Sequence, residues 1–379
     1  MTRKAHIGIA FLGGGSGGHI YPALAIADAI ERLTPTARAV YITGDRAADE
    51  QTLAAQLVFG EPVHRVPLGA RPFSVRPRGV LRCVSAWGQA VRQSRAALRD
   101  LKTHSESVVA MSTGGYVSAP AALATRAEHV PLVLVGLDAR IGKANRLVGG
   151  LATHKLVAQD RAPSGWQAAG PIVGRRALAP APSAECRRML GLDPQTPTLL
   201  VMGGSQGATS INAFMCALCQ SHPSELARWQ VLHLAGSQQE VADLQSAYQK
   251  AGIRARVFER LSPIGPAWGA AELALCRGGA GSVAEAHANT VPAILLPYPY
   301  HRDEHQAANA QPLAEAGGMI ILKDHVDARA NLEAIAPTLL RLLASDAERE
   351  TMAQNLRRHP RNDGAAACAR LLVESAVRP

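Results

Sequence analysis

Residues 6–30 read HIGIAFLGGGSGGHIYPALAIADAI, and they give the strongest indication of how this chain folds. The apolar run Ile7–Leu12 predicts a β-strand, and the glycine-rich residues 13–18 predict a tight loop. We expect a helix to begin near Pro22, because apolar residues follow at helical spacing: Leu24, Ala27 and Ile30. A strand, a glycine loop and a helix in this order are typical of a parallel α/β sheet.

The glycine loop predicts a site for an anionic group. Its backbone N–H groups lie at the positive end of a helix, and glycine lets a phosphate approach the main chain closely. His19 follows the loop, where the helix N-terminus favours the neutral imidazole that a general base requires. The spacing differs from the dinucleotide-binding GxGxxG pattern, since Thr43, Gly44 and Asp45 end the next strand at another distance. The alternative is a structural turn with His19 as a helix cap.

The composition bounds the class of protein. At 379 residues the chain exceeds the length at which one core keeps growing, so we expect two domains. Aromatic residues make up only 4%, which argues against stacking surfaces for nucleic acid. The scattered cysteines and the short opening apolar run favour a reducing cytoplasm. Cys216 and Cys219 lie in a predicted helix, where a buried apolar role is expected, and we expect neither a metal nor another cofactor.

The net charge of +10 is concentrated in the first half of the chain. Residues 1–180 contain 22 Lys and Arg against 11 Asp and Glu, which gives +11. The remaining residues contain 18 against 19, which gives −1. An anionic partner is therefore expected to meet the N-terminal half.

Apolar strands alternate with helical segments in both halves, which predicts an α/β protein with two doubly wound, Rossmann-like parallel-sheet domains facing a cleft. After the first strand, the predicted strands are Ala39–Thr43, Val108–Met111, Leu132–Val135, Thr198–Met202, Gln230–Ala235, Leu273–Cys276 and Ala293–Leu296. The stretch GPIVGRRALAPAP at 170–182 is rich in Pro and Gly without periodicity, so we expect the interdomain linker there.

Three further glycine-rich loops repeat the strand–loop–helix pattern. They are STGGYVS at 112–118, GGSQG at 203–207 and RGGAGS at 277–282. One such loop could be structural, but four after four strands favour ligand binding, because α/β sheets bind ligands beyond the carboxyl ends of their strands. Two phosphate-bearing ligands are then expected.

Two clusters near the fourth loop predict contacts to hydroxyl groups. Glu285 lies about one turn into the following helix, where a carboxylate can accept hydrogen bonds from a ribose, although a solvated Glu is an equal alternative. Asp303, His305, Gln306 and Asn309 crowd the next strand-to-helix turn and offer donors and acceptors to a sugar. A polar helix cap is the alternative for this cluster.

Residues 71–102 form a basic segment with an apolar face. Leu81, Val84 and Trp87 lie among several arginines, and such a helix suits an anionic bilayer surface. The alternative is a helix that packs on the core and exposes its arginines.

Five segments together resemble the MurG family of peptidoglycan glycosyltransferases: GGGSGGHIYPALAIA, STGGYVSAP, GGSQGATSIN, CRGGAGSVAEA and HRDEHQAANAQPLAEAG. They occur in the family's order and span nearly the whole chain. The resemblance implies a glycosyltransferase B fold and an inverting transfer of N-acetylglucosamine from UDP-N-acetylglucosamine, without a metal. The implied acceptor is lipid I, the undecaprenyl-diphosphate-linked muramyl pentapeptide, which becomes lipid II in peptidoglycan synthesis.

The resemblance also implies a division of labour between the domains. Residues 1–172 are expected to bind the acceptor and the membrane, and residues 173–359 to bind UDP-N-acetylglucosamine. The last helix, within residues 360–379, is expected to cross back to the first domain. The partners implied are the sugar nucleotide, the lipid-linked diphosphate and the anionic inner-membrane surface, which the protein meets peripherally from the cytoplasm. Nucleic acid is not expected.

By position in the family motifs, the resemblance assigns donor-binding residues. They are Ser16, Gly17, Gly18, Arg175, Ser205, Gln206, Leu261, Ala280, Gly281, Ser282, Val283, Glu285, His305, Gln306 and Asn309. Ser205 and Gln206 are expected against the nucleotide phosphates, and Glu285 against the ribose. Gln306 and Asn309 are expected to read the hydroxyls of the transferred sugar.

The acceptor side is assigned in the same way. His19 is the expected catalytic base, and the acceptor-binding residues are Gly14, Gly15, Gly114, Gly115, Tyr116 and Asp138. Asp138 departs from the family, which carries an asparagine there, and a carboxylate repels a diphosphate unless it is protonated or offset by Arg140 or Lys143. Arg260 and Leu261 also replace larger apolar residues of the family on the uracil side.

Other functions stay open at this stage. They are transfer to a different lipid acceptor, epimerisation of UDP-N-acetylglucosamine, and sugar-nucleotide sensing without catalysis. Epimerisation would need no acceptor, and a sensor would bind the nucleotide without transferring its sugar.

Overall fold

The computed structural model of the chain describes residues 5–14, 17–54, 56–70, 77–204, 207–300 and 304–377. The chain divides into two compact units. The first comprises Met1–Gly174 together with Asn362–Pro379, and the second comprises Arg175–Arg361. The boundary after Gly174 lies inside the Pro- and Gly-rich stretch at 170–182, against a predicted limit at residue 172.

The first unit is built on a parallel sheet. Its described strands are β1 Ala5–Gly13, β2 Arg38–Gly44, β3 Leu57–Val58, β4 Glu61–Pro62, β5 Arg65–Leu68, β6 Ser105–Gly114, β7 Leu132–Gly136, β8 His154–Val157 and β9 Gln167–Ala168. Its helices up to the linker are α1 Gly17–Leu33, α2 Ala47–Ala54, α3 Pro77–His104, α4 Ser118–Ala127 and α5 Lys143–Gly149. The sheet order is β5-β2-β1-β6-β7-β8-β9, and β3 and β4 form a separate antiparallel hairpin.

Helix α1 begins earlier than expected. It starts at Gly17, so His19 lies in its first turn and Pro22 lies inside the helix. The prediction of a start near Pro22 was therefore wrong. The reason is that Ile20, only 1% exposed, extends the buried stripe of the helix by one turn toward the glycine loop.

The last helix belongs to the first unit. This helix, α15, spans Gly364–Val377 and packs on α1 and β6. Its buried face carries Gly364, Ala365, Cys368, Ala369, Leu372, Ser375 and Ala376. A Cβ atom on Gly364 would come within 2.1 Å of the carbonyl oxygen of Gly170, so only glycine permits this close approach.

The second unit is also built on a parallel sheet. Its strands are β10 Thr198–Met202, β11 Gln230–Leu234, β12 Arg254–Phe258, β13 Leu273–Cys276, β14 Ala293–Leu295 and β15 Met319–Ile321, in the sheet order β12-β11-β10-β13-β14-β15. A 3₁₀-helix spans Arg175–Ala177. The α-helices are α6 Ser183–Met189, α7 Thr209–Ser221, α8 Pro223–Leu226, α9 Gln238–Lys250, α10 Gly265–Ala270, α11 Ala280–Ala288, α12 His305–Glu315, α13 Ala328–Ala344 and α14 Asp346–Arg358.

Both faces of the second sheet are buried, in separate core clusters. In β10, Leu199 and Val201 belong to one cluster, and Leu200 and Met202 belong to the other. Alternate side chains point to opposite faces of a strand, so a continuous apolar run is required when helices cover both faces. The predicted class, two parallel-sheet α/β domains, is confirmed.

Candidate active site

The four glycine loops lie at the carboxyl ends of strands, in neighbouring pairs. In the first unit β1 pairs with β6, and Gly13 lies in register with Gly114. In the second unit β10 pairs with β13, so the loops that follow them leave the same edge of that sheet. Each unit therefore presents one pair of adjacent glycine loops.

Close packing in the first unit requires glycine at Gly115. Its φ is +90°, and a Cβ atom there would lie 2.8 Å from the carbonyl oxygen of Gly14 and 3.6 Å from Cδ2 of His19. The loop after β6 therefore lies directly against the loop after β1 and against the imidazole. Gly15 and Ser16 lie outside the described residues, and Gly17 and Gly18 begin α1.

Hydrogen bonds to Thr113 fix the tautomer of His19. Nδ1 of His19 lies 3.1 Å from the carbonyl oxygen of Thr113. Because a carbonyl oxygen only accepts, Nδ1 must donate, and the neutral ring keeps its lone pair on Nε2. The hydroxyl of Thr113 donates in turn to the carbonyl oxygen of His19, also at 3.1 Å. The ring is thus held as a proton acceptor at Nε2.

The surroundings of His19 favour the uncharged ring. Burial lowers the pKa of His19 below its usual value, while the Thr113 carbonyl and the carboxylates of Asp138 and Asp49 oppose this without outweighing it. A lowered pKa leaves the imidazole neutral at pH 7, which is the state a general base needs. The role of His19 as the catalytic base stays a prediction.

Two carboxylates, Asp138 and Asp49, act electrostatically on His19, and only Asp138 was predicted as a site residue. Asp138, which stands where the family pattern has asparagine, is half-buried, and its charge raises the pKa of His19. Asp49, in the first turn of α2, is fully buried beside Gly14, where a Cβ atom would come within 2.7 Å of its Oδ2. Asp49 was not predicted as a site residue, and its only local signal in the sequence is an acidic residue in the first turn of a helix after a strand.

The Tyr116 side chain is partly buried and partly exposed. Its ring is half-buried against the core of the first unit, and the guanidinium of Arg46 lies 5.6 Å from the ring centroid. A Cβ atom on Gly44 would come within 3.0 Å of the Tyr116 hydroxyl. The side chain therefore links the loop after β6 to the end of β2, and its contact with an acceptor stays a prediction.

In the second unit, the described residues on either side of positions 205 and 206 lie close together after β10. A Cβ atom on Gly203 would lie 2.2 Å from the amide nitrogen of Ala208, and Gly204 and Gly207 have φ values of +82° and +74°. Ser205 and Gln206, the expected phosphate contacts, lie outside the described residues.

The first turn of α11 is only partly open. Gly281 is exposed and Ala280 and Ser282 are half-buried, so their backbone N–H groups are available at a helix N-terminus. Val283 is 5% exposed and packs in the core, so its side chain does not line an open surface as expected. Its backbone N–H donates to the carbonyl oxygen of Gly279 at 3.0 Å, so the N–H groups left at this helix start belong to the residues before it.

Glu285 is not the solvated residue of the alternative interpretation. Its Oε2 accepts a hydrogen bond of 2.9 Å from the indole N–H of Trp268, a residue of α10 that is 1% exposed. Burial raises the pKa of Glu285 to about 7, and the hydrogen bond from Trp268 opposes that rise. Trp268 was not predicted as a partner of Glu285, because no local sequence pattern relates it to a residue on the next helix.

Helix α12 is tied to the loop after β13. Asn309 is 3% exposed, and its amide donates to the carbonyl oxygen of Gly278 at 3.1 Å. Gln306 accepts a hydrogen bond of 2.8 Å from the backbone N–H of Tyr298. Both side chains therefore order the loops around them, and their contact with a sugar stays a prediction. His305 is half-buried, and Asp303 lies outside the described residues.

The two remaining donor assignments lie apart from the glycine loops in the chain. Arg175 is exposed at the start of the 3₁₀-helix, and Leu261 is half-buried against the core of the second unit. The contacts of Arg175 and Leu261 with a sugar nucleotide therefore stay predictions.

Part of the basic helix α3 packs on the core of the first unit. Trp87 is half-buried against the core of the first unit, as the packing alternative requires. Arg95 and Arg99 donate to Glu128 at 2.6 and 3.1 Å, which neutralises part of the basic face. The side chains of Leu81 and Val84 lie outside the described residues.

The described residues show neither a metal-binding cluster nor a membrane-spanning helix. They contain no cluster of His, Cys, Asp and Glu that could hold a metal ion. Within the same part of the chain, no helix has the length and apolar character needed to cross a bilayer.

Comparisons with known proteins cover both units. Residues 9–157 match the glycosyltransferase family 28 N-terminal domain, and residues 198–367 match the glycosyltransferase family 28 C-terminal domain. Over 373 residues the chain is 34% identical to the UDP-N-acetylglucosamine--N-acetylmuramyl-(pentapeptide) pyrophosphoryl-undecaprenol N-acetylglucosamine transferase of Acidithiobacillus ferrooxidans, covering 96% of each chain. The enzyme of the same name from Sorangium cellulosum is 32% identical over 97% of this chain and 88% of its own.

Solved structures support the same fold. MurG of Acinetobacter baumannii aligns with a TM-score of 0.66 and 24% identity, over 97% of this chain and 99% of its own. The UDP-GlcNAc 2-epimerase of Neisseria meningitidis bound to UDP-GlcNAc aligns at 0.62 with 13% identity, over 98% of this chain and all of its own, and shows the shared fold alone. The glycosyltransferase B fold implied by the motifs is therefore confirmed. Taken with the sequence relatives, these matches establish that the chain belongs to glycosyltransferase family 28 and, within it, to the MurG family of N-acetylglucosaminyltransferases.

Proposed function

We propose that this chain transfers N-acetylglucosamine from UDP-N-acetylglucosamine to undecaprenyl-diphosphoryl-muramyl pentapeptide, lipid I, and so forms lipid II. This substrate pair is supported by the names of relatives that share about a third of its residues over nearly the full length. The observation that carries the chemistry is the fixed tautomer of His19, whose Nε2 is a proton acceptor beside two glycine loops.

The reaction needs an acceptor oxygen that loses its proton as UDP departs. In this proposal Nε2 of His19 takes the proton of the acceptor hydroxyl while its oxygen forms a bond to the anomeric carbon. The bond from that carbon to the UDP oxygen breaks on the opposite face, which inverts the configuration. The electron pair leaves with the diphosphate of UDP.

The second unit supplies binding for the donor in this proposal. Backbone N–H groups at the start of α11 and the loop after β10 stabilise the negative charge that develops on the departing diphosphate. The carboxylate of Glu285 accepts hydrogen bonds from the ribose hydroxyls, and Gln306 and Asn309 lie near the sugar. Asp138 places a negative charge near His19 in the first unit, and this charge repels a diphosphate. Arg140 and Lys143 are the nearest cations in sequence that can compensate for it.

One assay tests the proposed reaction. The full chain is incubated with radiolabelled UDP-N-acetylglucosamine and a short-chain lipid I analogue, and labelled disaccharide product is expected. Parallel reactions contain other polyprenyl-diphosphate sugars or no acceptor. An epimerised nucleotide formed without acceptor, or nucleotide binding with no transfer to any acceptor, would contradict the proposal and favour epimerase or sensor function.

The proposal includes a peripheral position on the cytoplasmic face of the membrane. The excess of positive charge in residues 1–180 and the basic sequence at the start of α3 support it. Because Trp87 also packs on the core, the informative variant replaces Leu81 and Val84 by Ser and leaves Trp87 intact. We expect this variant to lose sedimentation with anionic vesicles while it retains transfer to a soluble acceptor analogue. Unchanged sedimentation would assign that turn of α3 to the core.

A further inference from the structure

Arg277 and Asp324 form a buried ion pair at the carboxyl edge of the second sheet. Nη1 of Arg277 lies 2.7 Å from Oδ2 of Asp324, and the two side chains are 8% and 0% exposed. Arg277 directly follows β13 and precedes the glycines of the fourth loop. Asp324 lies in the segment between β15 and α13. The pair therefore connects two loops that are distant in sequence.

The same guanidinium reaches two further segments. Nη1 also donates to the carbonyl oxygen of Leu296, just after β14, at 2.9 Å, and more weakly to that of Pro297 at 3.4 Å. Nη2 donates to the hydroxyl of Ser210, in the first turn of α7, at 2.8 Å. Since α7 follows the loop after β10, one side chain contacts the segments that follow β10, β13, β14 and β15. These four strands are neighbours in the sheet.

Asp324 completes the network. Its Oδ2 also accepts from the hydroxyl of Ser210 at 2.6 Å, and its Oδ1 accepts from the amide of Asn331 and the backbone N–H of Val326 at 2.8 and 2.7 Å. Burial alone would raise the pKa of Asp324, but these hydrogen bonds and the one from Arg277 outweigh it and hold the pKa below its usual value. The carboxylate is thus ionised at neutral pH and matches the charge of Arg277.

Stability alone is a weak reason for such a pair. Replacing a buried ion pair by apolar residues of similar volume is often neutral for folding, whereas polar networks specify one arrangement of the groups they join. This network lies where α/β sheets bind ligands, and it includes the residue directly before Gly278, whose carbonyl oxygen accepts from Asn309.

We propose that Asp324 is a positioning residue for the sugar nucleotide, which acts through Arg277 and Ser210 to set the spacing of the loops after β10, β13 and β14. This inference rests on the proposed function, in which those loops hold the UDP moiety. Asp324 itself does not contact the nucleotide in this account.

The chain offers a matched control at the opposite edge of the same sheet. Arg187 and Glu272 form a second ion pair, with side chains 7% and 32% exposed. Glu272 directly precedes β13, and its Oε2 accepts from the backbone N–H of Thr198, the first residue of β10, at 2.6 Å. This pair joins the same two strands at their amino ends, away from the glycine loops.

The test compares Asp324→Asn with Glu272→Gln in the full-length chain. Thermal unfolding gives the stability of each variant, and calorimetry with UDP, well below every unfolding transition, gives the dissociation constant. Both variants are expected to unfold at lower temperature, because each leaves an arginine without its charge partner. Only Asp324→Asn is expected to weaken UDP binding, by about tenfold or more, since small misplacements of binding groups have effects of this order.

A second variant keeps the test decisive if Asp324→Asn does not fold. Ser210→Ala retains the ion pair and removes only its hydroxyl bridge to α7, and we expect UDP binding about threefold weaker with little change in unfolding temperature. Unchanged UDP affinity in the folded variants, or equal weakening in Glu272→Gln, would overturn the positioning role. A wild-type chain that binds neither UDP nor UDP-N-acetylglucosamine would contradict the proposed function itself, and the positioning role with it.

Discussion

At the scale of single residues, His19 shows how one carbonyl oxygen decides the chemistry of a ring. The Thr113 carbonyl requires the proton on Nδ1, so the lone pair lies on Nε2 whatever the sequence around His19. An amide or hydroxyl partner at that position would leave both tautomers available.

Replacing His19 tests this role. In His19→Ala we expect kcat to fall by about a hundredfold or more, the usual scale for a general base, with UDP-N-acetylglucosamine affinity nearly unchanged. Steady-state kinetics with the lipid I analogue and calorimetry with the nucleotide measure the two quantities. His104→Ala removes an exposed histidine at the end of α3 and serves as the control. A His19→Ala variant with wild-type kcat would remove this residue from the mechanism.

Glu285 gives a prediction that depends on protons. Burial raises its pKa to about 7, so a substantial share of the free chains carry a protonated carboxyl group at pH 7. Ribose hydroxyls donate to the ionised form, so UDP binding is expected to release protons at pH 7 and fewer at pH 8.5. Calorimetry in buffers of different ionisation enthalpy measures this release.

Two variants control the measurement at Glu285. Glu285→Gln is expected to abolish the release. Trp268→Phe removes the hydrogen bond that lowers the pKa of Glu285, so the release is expected to extend to higher pH. Because the pKa in the folded chain is raised, the protonated carboxyl stabilises the fold, and this contribution is lost as pH rises through about 7. Proton release that persists in Glu285→Gln would assign it to another group.

At the scale of elements, the loops after β1 and β6 pack directly against each other, so a change in one loop is expected to affect the other. Gly115→Ala is expected to lower both stability and kcat, since the new methyl group combines an unfavourable positive φ with contact to the Gly14 carbonyl oxygen. Gly60→Ala is the matched control, because Gly60 has a φ of +75° and no atom within 4 Å of its Cβ position. Gly60→Ala is expected to lose about 1 kcal/mol of unfolding free energy, and Gly115→Ala is expected to lose more because of its added contact, both measured by denaturant titration. Equal kcat in the two variants would separate loop contact from activity.

At the scale of the whole molecule, the chain returns to its first unit through α15. Leu372 is fully buried there, and Leu372→Ala is expected to cost about 2–5 kcal/mol of stability. Hydrogen exchange is expected to quicken in α1 and β6, on which α15 packs, and to stay unchanged in β10 and β13. Arg370→Ala, on the exposed face of the same helix, is the control. Faster exchange in β10 and β13 as well would show that the two units unfold together.

Eight of the described strands could be predicted from the sequence, because each is a short, mostly apolar run followed within three residues by glycine or proline. The ranges Thr198–Met202 and Leu273–Cys276 agree with the structure at both ends. The start of α1 could not be predicted, because the rule that proline favours the first turn competed with the burial of Ile20, and tertiary packing decided the outcome.

The sequence by itself determined the parallel α/β class, the four glycine loops and the family, because these depend on local patterns that repeat along the chain. The tertiary structure decided which side chains meet: Thr113 with His19, Trp268 with Glu285, and Arg277 with Asp324. These partners lie on different elements, and only the packing of neighbouring strands and helices brings their atoms within hydrogen-bonding distance. The protonation states that the chemistry needs follow from that packing, since burial and hydrogen bonds, and not residue type alone, shift the pKa values of His19 and Glu285.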